Sequence, residues 1–169
     1  LAFFGAGLVL GASVVAFTAA ILGGLVQALV PEQIRLGLLG GLALAVLLRE
    51  AGLISLPVPE NRRLVPEVVL QRGRMLGPIQ FGFEMGTGMR TYSPSALPHL
   101  VLLAIVLAIP LPGAMLAGVG FAAARWIMAA ASIGHSDAGE WSASWQAHKR
   151  FFAVSTTLAV LVSLVAGLW

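Results

Sequence analysis

Thirty-one consecutive residues, Leu1 to Pro31, carry no charged side chain, and a second uncharged run of thirty-four covers Thr91 to Ala124. A helix that crosses a bilayer needs about 20 apolar residues. Runs of this length suit hydrocarbon better than water, and the rest of the chain agrees. Only 10% of the 169 residues are charged and the mean hydropathy is +0.95, whereas a soluble domain carries about a quarter charged residues. The expectation is an all-α integral membrane protein, a polytopic bundle of about five transmembrane helices forming a single domain.

The spans follow from where charge and proline interrupt the apolar pattern. The first is expected over 1–30, closed by Pro31-Glu32. A second, over 34–56, contains thirteen uncharged residues between Arg35 and Arg49, whose side chains can snorkel. Pro57-Val-Pro-Glu-Asn-Arg-Arg63 reads as a loop, and Leu64 to Arg74 as amphipathic or irregular. The thirty-four-residue run is too long for one span, so Pro110-Leu-Pro112-Gly113 is expected to be a hairpin between spans over 95–110 and 113–134. A polar loop over 135–150 then leads to a last span over 151–169. The start, at Leu1, reads as neither an intact beginning nor a signal peptide.

Alternating five spans collects Arg49, Arg62, Arg63, Arg72, Arg74, Arg90, Lys149 and Arg150 on one side and leaves Arg35 alone on the other. By the positive-inside tendency, the residue-1 end and the loops 57–94 and 135–150 are cytoplasmic, and the C-terminus is outside. The excess of three positive charges is thus an orientation signal, and nucleic acid is not expected as a partner. The expected partners are the lipid bilayer and other membrane subunits. Gly7-x-x-x-Gly11, Gly37-x-x-x-Gly41, Gly82-x-x-x-Gly86 and Ala114-x-x-x-Gly118 read as places where helix backbones approach closely.

The polar residues concentrate between Gly82 and His99, where glycines and prolines break the helix starts around 76–98. Irregular backbone at membrane depth survives only where protein or a watery cavity surrounds it. Glu84, Thr87, Arg90, Tyr92, Ser93, Ser95 and His99 are therefore the candidate lining of a polar cavity. Glu84 and Arg125 are a candidate intramembrane ion pair, since an isolated charge there costs about 2.5–3.5 kcal/mol. Trp141 and Trp145, followed by Lys149 and Arg150, have the profile of interfacial anchors, with basic groups toward anionic lipid. No ligand spacing for a metal is present, no dinucleotide or P-loop motif is present, and no nucleophile and base are paired. The chain is not read as an enzyme, and no cofactor is expected.

Pro94-Ser95-Ala96-Leu97-Pro98, ahead of a long apolar helix, resembles the Pro-Cys-x-x-Pro helix starts of the CcdA/DsbD transmembrane family of cytochrome c biogenesis and thiol–disulfide electron carriers. Phe4-Gly-Ala-Gly-Leu-Val-Leu-Gly-Ala-Ser-Val-Val-Ala-Phe-Thr18 is similar to that family's second helix, and Gly40-Gly-Leu-Ala-Leu-Ala-Val-Leu-Leu48 to its third. The resemblance implies the membrane fold, a bacterial cytoplasmic membrane, and a further helix before residue 1. It does not carry over the activity. The family's intramembrane cysteine is Ser95 here and the chain has no cysteine, so no disulfide relay runs through this helix. The expected function is non-redox: translocation of a small solute or ion, or service as an accessory subunit of a membrane complex. The alternative is an electron carrier whose cysteines lie in an upstream helix or a partner.

Overall fold

A computed structural model describes residues 1–57, 65–69, 71–88, 95–134 and 138–167, with the backbone alone at 67, 138, 140–142 and 163–167. Among the described residues the protein is all-α. The helices are α1 (Ala2–Leu29), α2 (Glu32–Glu50), α3 (Leu76–Gly86), α4 (Leu97–Leu107), α5 (Leu111–Gly134) and α6 (Ala138–Gly167), with a 3-10 turn at Glu67–Val69. Among the described residues, α1 and α5 are the two helices long and apolar enough, by length and composition, to cross a membrane.

Local chemistry sets the boundaries. Pro31 cannot continue α1, and the residue before a proline avoids the helical region, so Val30 turns extended at φ −105, ψ 126. Helix α2 carries Glu32 in its first turn and Arg49 in its last, each opposite in sign to the adjoining dipole end. It stops at Glu50 rather than near Leu56. Gly52 takes φ +78, and the Leu53 amide donates back to the Leu48 carbonyl at 2.9 Å, closing a glycine-capped helix end. The chain breaks between α4 and α5 at 108–110, slightly before the expected turn, and Leu111, Pro112 and Gly113 already belong to α5, with Pro112 in its first turn, where its missing N–H costs nothing.

Three expectations change. The span over 95–110 contains a helix of only eleven residues, α4. The segment 57–94 is not all loop, because its Gly82-x-x-x-Gly86 stretch forms α3. The segment 135–150 is helical from Ala138 and runs without a break into the final apolar stretch as α6. The spacing that places Trp145 one heptad before Phe152 stacks the two rings, with centroids 5.7 Å apart and planes 9° from parallel. That contact requires a continuous helix.

Packing rests on small residues. Helix α1 is the central element, contacting α3, α4 and α5, while α2 contacts α4 and α6. Against α3 the approach is backbone to backbone: a Cβ built on Gly7 would stand 2.8 Å from the Phe83 nitrogen, and one on Gly82 would stand 3.0 Å from the Leu8 nitrogen. Two of the glycine pairs seen in the sequence therefore face one another. Gly118 meets Ala12 and Ala16 of α1, whereas Gly37, Gly40 and Gly41 of α2 meet nothing within 4 Å. The core is likewise lean. Leu8, Ala12 and Ala122 form one cluster, Ala19, Ile105 and Ala114 a second, and Leu39, Ala43, Leu100 and Ala104 a third between α2 and α4. Large apolar side chains such as Leu25, Leu29, Leu116 and Val162 point outward.

Overpacking a tight contact costs about 1–3 kcal/mol. Gly82→Ala is expected to lower the thermal midpoint of the protein in mild detergent, while Gly37→Ala leaves it unchanged or slightly raised, since alanine is the better helix former. Equal losses from both substitutions would show that the α1–α3 contact is not where the stability resides.

Candidate functional site

Helix α4 is short, and both of its ends are held by side chains from other helices. At its N-terminus the Glu50 carboxylate, at the end of α2, accepts on Oε1 from the Ala96 amide at 2.8 Å, from the Ser95 hydroxyl at 3.2 Å and from Arg49 Nη1 at 2.7 Å. Ser95 Oγ in turn accepts from the Leu97 amide at 3.1 Å. Two of the orphan amides that every helix start exposes are satisfied this way. Glu50 is almost wholly buried, its side chain 5% exposed. A buried charge persists when paired and hydrogen-bonded, and a negative one is favoured at a helix N-terminus. At the opposite end, Gln27 Nε2 donates to the Ile105 and Val106 carbonyls at 3.2 and 3.3 Å. Arg35 donates to the Leu107 carbonyl and, at 3.0 Å, to that of Val30. Arg35, on its own in the charge count, thus closes the C-termini of two helices.

Beside Glu50 a cavity of about 700 Å³ opens between the end of α2, the turn that follows it, the start of α4 and the first half of α6. Arg49, Glu50 and Ser95 line it from one side, Ile54, Ser55 and Leu56 from the turn, and Trp145, Lys149, Arg150, Phe152 and Thr156 from α6. Arg49 is anchored by Glu50 and by a 3.0 Å bond from Nε to the Leu56 carbonyl. Lys149 Nζ donates to Gln146 at 2.9 Å. The Arg150 guanidinium lies over Gly52, with Nη2 3.8 Å from where a Cβ would stand. Three cations and one carboxylate therefore share a space whose remaining walls are aromatic, aliphatic and hydroxyl-bearing.

Of the seven residues expected to line a polar cavity, Ser95 lines this one. Glu84 lies in α3 and Thr87 caps its C-terminus; Glu84 accepts from Gln80 at 3.3 Å, Gln80 accepts from Arg72 at 2.8 Å, and the Thr87 hydroxyl donates to the Glu84 carbonyl at 2.8 Å. His99 is half-buried in the first turn of α4. Arg90, Tyr92 and Ser93 lie outside the described residues, as does the Trp141 side chain. For the candidate pair, the described contacts lead to different partners. Glu84 meets Gln80, and Arg125 lies over the Phe121 ring with Cζ 4.8 Å from the centroid. Trp145, Lys149 and Arg150, expected as interfacial anchors, line this cavity.

Glu50 falls inside the span expected over 34–56, and the sequence reading assigns it no role. The available signal was an Arg-Glu doublet at an apolar helix end with Gly two residues on. A carboxylate there must find donors within the protein. Among the described residues no cluster of three or more His, Asp or Glu is placed to hold a metal ion.

Removing a side-chain cap costs about 0.5–2 kcal/mol, and breaking a buried ion pair about 3–5 kcal/mol. Ser95→Ala is thus expected to destabilise mildly, Glu50→Ala severely and Glu50→Gln between the two, read as thermal midpoints in detergent. A Glu50→Ala protein as stable as wild type would remove the carboxylate from its assigned structural role. Comparison with protein families, with curated proteins and with solved structures finds no match for this chain.

Proposed function

We propose that this chain is a non-redox, CcdA/DsbD-like membrane protein of five spans that moves a small solute, with the cavity beside Glu50 as its binding chamber on the cytoplasmic side. The observation that carries the reading is that cavity. It brings charged and hydroxyl groups from α2, the start of α4 and α6 to one end of an otherwise apolar bundle. Solute paths through membrane proteins need polar groups that face inward, and ionisable residues at such positions default to a functional reading.

The placement of the charges supports the orientation. Helix α2 runs antiparallel to α4, because Arg35 reaches the C-terminus of α4 and Glu50 its N-terminus. Arg35 is thereby at the opposite end of the bundle from Arg49, Lys149 and Arg150, the arrangement that five alternating spans require. The outward-facing leucines and valines of α1, α5 and α6 suit a lipid surface. A thiol–disulfide role draws no support from this chain, whose Ser95 hydroxyl is engaged in capping α4.

A second reading, an accessory subunit of a membrane complex, draws on the exposed Gly37, Gly40 and Gly41 of α2. They form the kind of small-residue face on which another membrane helix packs closely. Purification in mild detergent separates the two: a solitary, monodisperse protein argues against the subunit reading.

The absence of cysteine allows topology to be read without background. In intact cells a membrane-impermeant maleimide is expected to label Glu32→Cys, and to label Gln146→Cys only after permeabilisation. Labelling of both from one side sinks the five-span topology. In proteoliposomes, light-scattering shrinkage assays with glycerol, ammonium and phosphate salts are expected to show faster entry of at least one solute than in protein-free vesicles. Glu50→Gln should alter that rate and Gly37→Ala should not. No acceleration for any solute overturns the transport reading.

A further inference from the structure

We propose that the cavity beside Glu50 is a binding site for an amphiphilic phosphomonoester, its phosphate held by Arg150, Lys149 and Arg49 and its apolar portion by Phe152 and Leu56. The inference deepens the function proposed above and rests on it only for the side of the membrane the site faces.

The charge balance selects the anion. Three cations surround the cavity and Glu50 returns one negative charge. Two positive charges remain, and a phosphomonoester at neutral pH carries about −1.5 to −2. A single carboxylate would leave the cavity positive, and a neutral solute would leave the two positive charges unmatched. Glu50 itself does not compete for the ligand, because its Oε1 already accepts from Arg49, Ser95 and Ala96. Arg49 is fixed at its Nε by the Leu56 carbonyl. It contributes a positioned positive field, whereas Lys149 and Arg150 are exposed on one turn of α6, where the Lys149 ammonium, bonded to Gln146, keeps two further N–H donors for an anion. Guanidinium forks match phosphate oxygens two at a time, and an ammonium adds a point charge.

The walls select the rest of the ligand. A volume of about 700 Å³ falls within the usual range of about 300–1,000 Å³ for small-molecule sites and far exceeds what a phosphate fills. The Phe152 ring is held in place by stacking on Trp145, so the apolar floor is preformed. Basic pockets between helices on the cytoplasmic face are also where anionic lipid headgroups bind. The same chemistry therefore has two sources, a free phosphomonoester with an apolar body or a phosphatidic acid headgroup.

The test uses the whole protein in a neutral maltoside detergent, with Trp145 as reporter and Trp145→Phe to identify its signal. The probes are n-hexyl phosphate, dihexanoyl phosphatidic acid and, as the neutral control, dihexanoyl phosphatidylcholine. A saturable change with hexyl phosphate supports the site and assigns it to a free solute. A change with phosphatidic acid alone supports it and assigns it to lipid, and a change with both supports a site open to either source. Losing one charge-assisted contact is expected to weaken half-saturation by about tenfold, so Lys149→Gln and Arg150→Gln should each do so. Arg150→Lys, which keeps the charge, should lose less and also shows that the helix is intact. Salt at about 1 M, where charges are screened beyond about 3 Å, should weaken both phosphates together. The proposal is overturned by no response to either phosphate, by an equal response to phosphatidylcholine, or by unchanged affinity in the Gln variants. Binding without flux in proteoliposomes would remove transport and leave the site, whereas flux without phosphate binding would remove this ligand class and leave transport.

Discussion

Helix α4 depends on an electrostatic grip supplied largely by one neighbour. Its eleven residues are nearly all apolar, and Leu100, Ala104 and Ile105 are buried among side chains that cannot hydrogen-bond. A helix this short has marginal intrinsic stability, and about a third of its backbone polar groups are end groups without an internal partner. Helix α2 answers at both ends, with Glu50 on the amides and Arg35 on a carbonyl, signs that also suit the dipole. The geometry is matched in length. Fifteen positions separate Arg35 from Glu50, about 22 Å of helix, enough for the two side chains to reach past both ends of α4 and turn inward. The Leu39, Ala43, Leu100 and Ala104 cluster fills the space between. The register of α2 against α4 is thus specified twice, by packing and by charge, and the cavity exists because that register brings Glu50 to Ser95.

How much of this was legible in sequence differs by level. Uncharged runs and proline punctuation are strong local signals, and they located α1, the hairpin before α5 and the start of α2 to within two residues. Helix α6 was divided because residues 138–150 are polar, yet polarity speaks to surroundings and not to backbone conformation; the Trp145 and Phe152 spacing carried the helical signal. The glycine pairs were legible as close approaches, but not which pairs meet. That requires knowing that α3 lies along α1 while one face of α2 is left open, a long-range fact absent from any local window. The candidate site shows the same division. Ser95 was identifiable because prolines on both sides mark a helix start. Its partner Glu50 lies forty-five residues earlier and becomes visible only once the helices pair.

The identity of residue 95 has a physical rationale at the start of α4. A hydroxyl at a helix start serves as donor and acceptor together, here to the Glu50 carboxylate and from the Leu97 amide. A thiol is a weak donor and a weak acceptor, so it would hold neither bond as well. With Glu50 buried against the same turn, serine is the residue that keeps the carboxylate satisfied. The start of α4 therefore holds the Arg49–Glu50 ion pair in place.

The described charges at the two ends of α2 and along α6 have distinct roles. Arg35 is a helix cap, Arg49 is committed to Glu50 and to the turn after α2, and Lys149 and Arg150 line the cavity from α6. Burying an ion pair is costly compared with apolar packing, and the Arg49–Glu50 pair recovers that cost only with the extra donors from Ser95 and Ala96. Such an arrangement is worth its expense where it shapes a space. The pair fixes one charged wall at the end of α2, and α6 supplies Lys149, Arg150 and the aromatic floor opposite. A hydrophobic replacement for the pair would still pack α2 against α4, but it would leave the start of α4 without the carboxylate that accepts from Ala96 and Ser95, and α6 facing an uncharged wall.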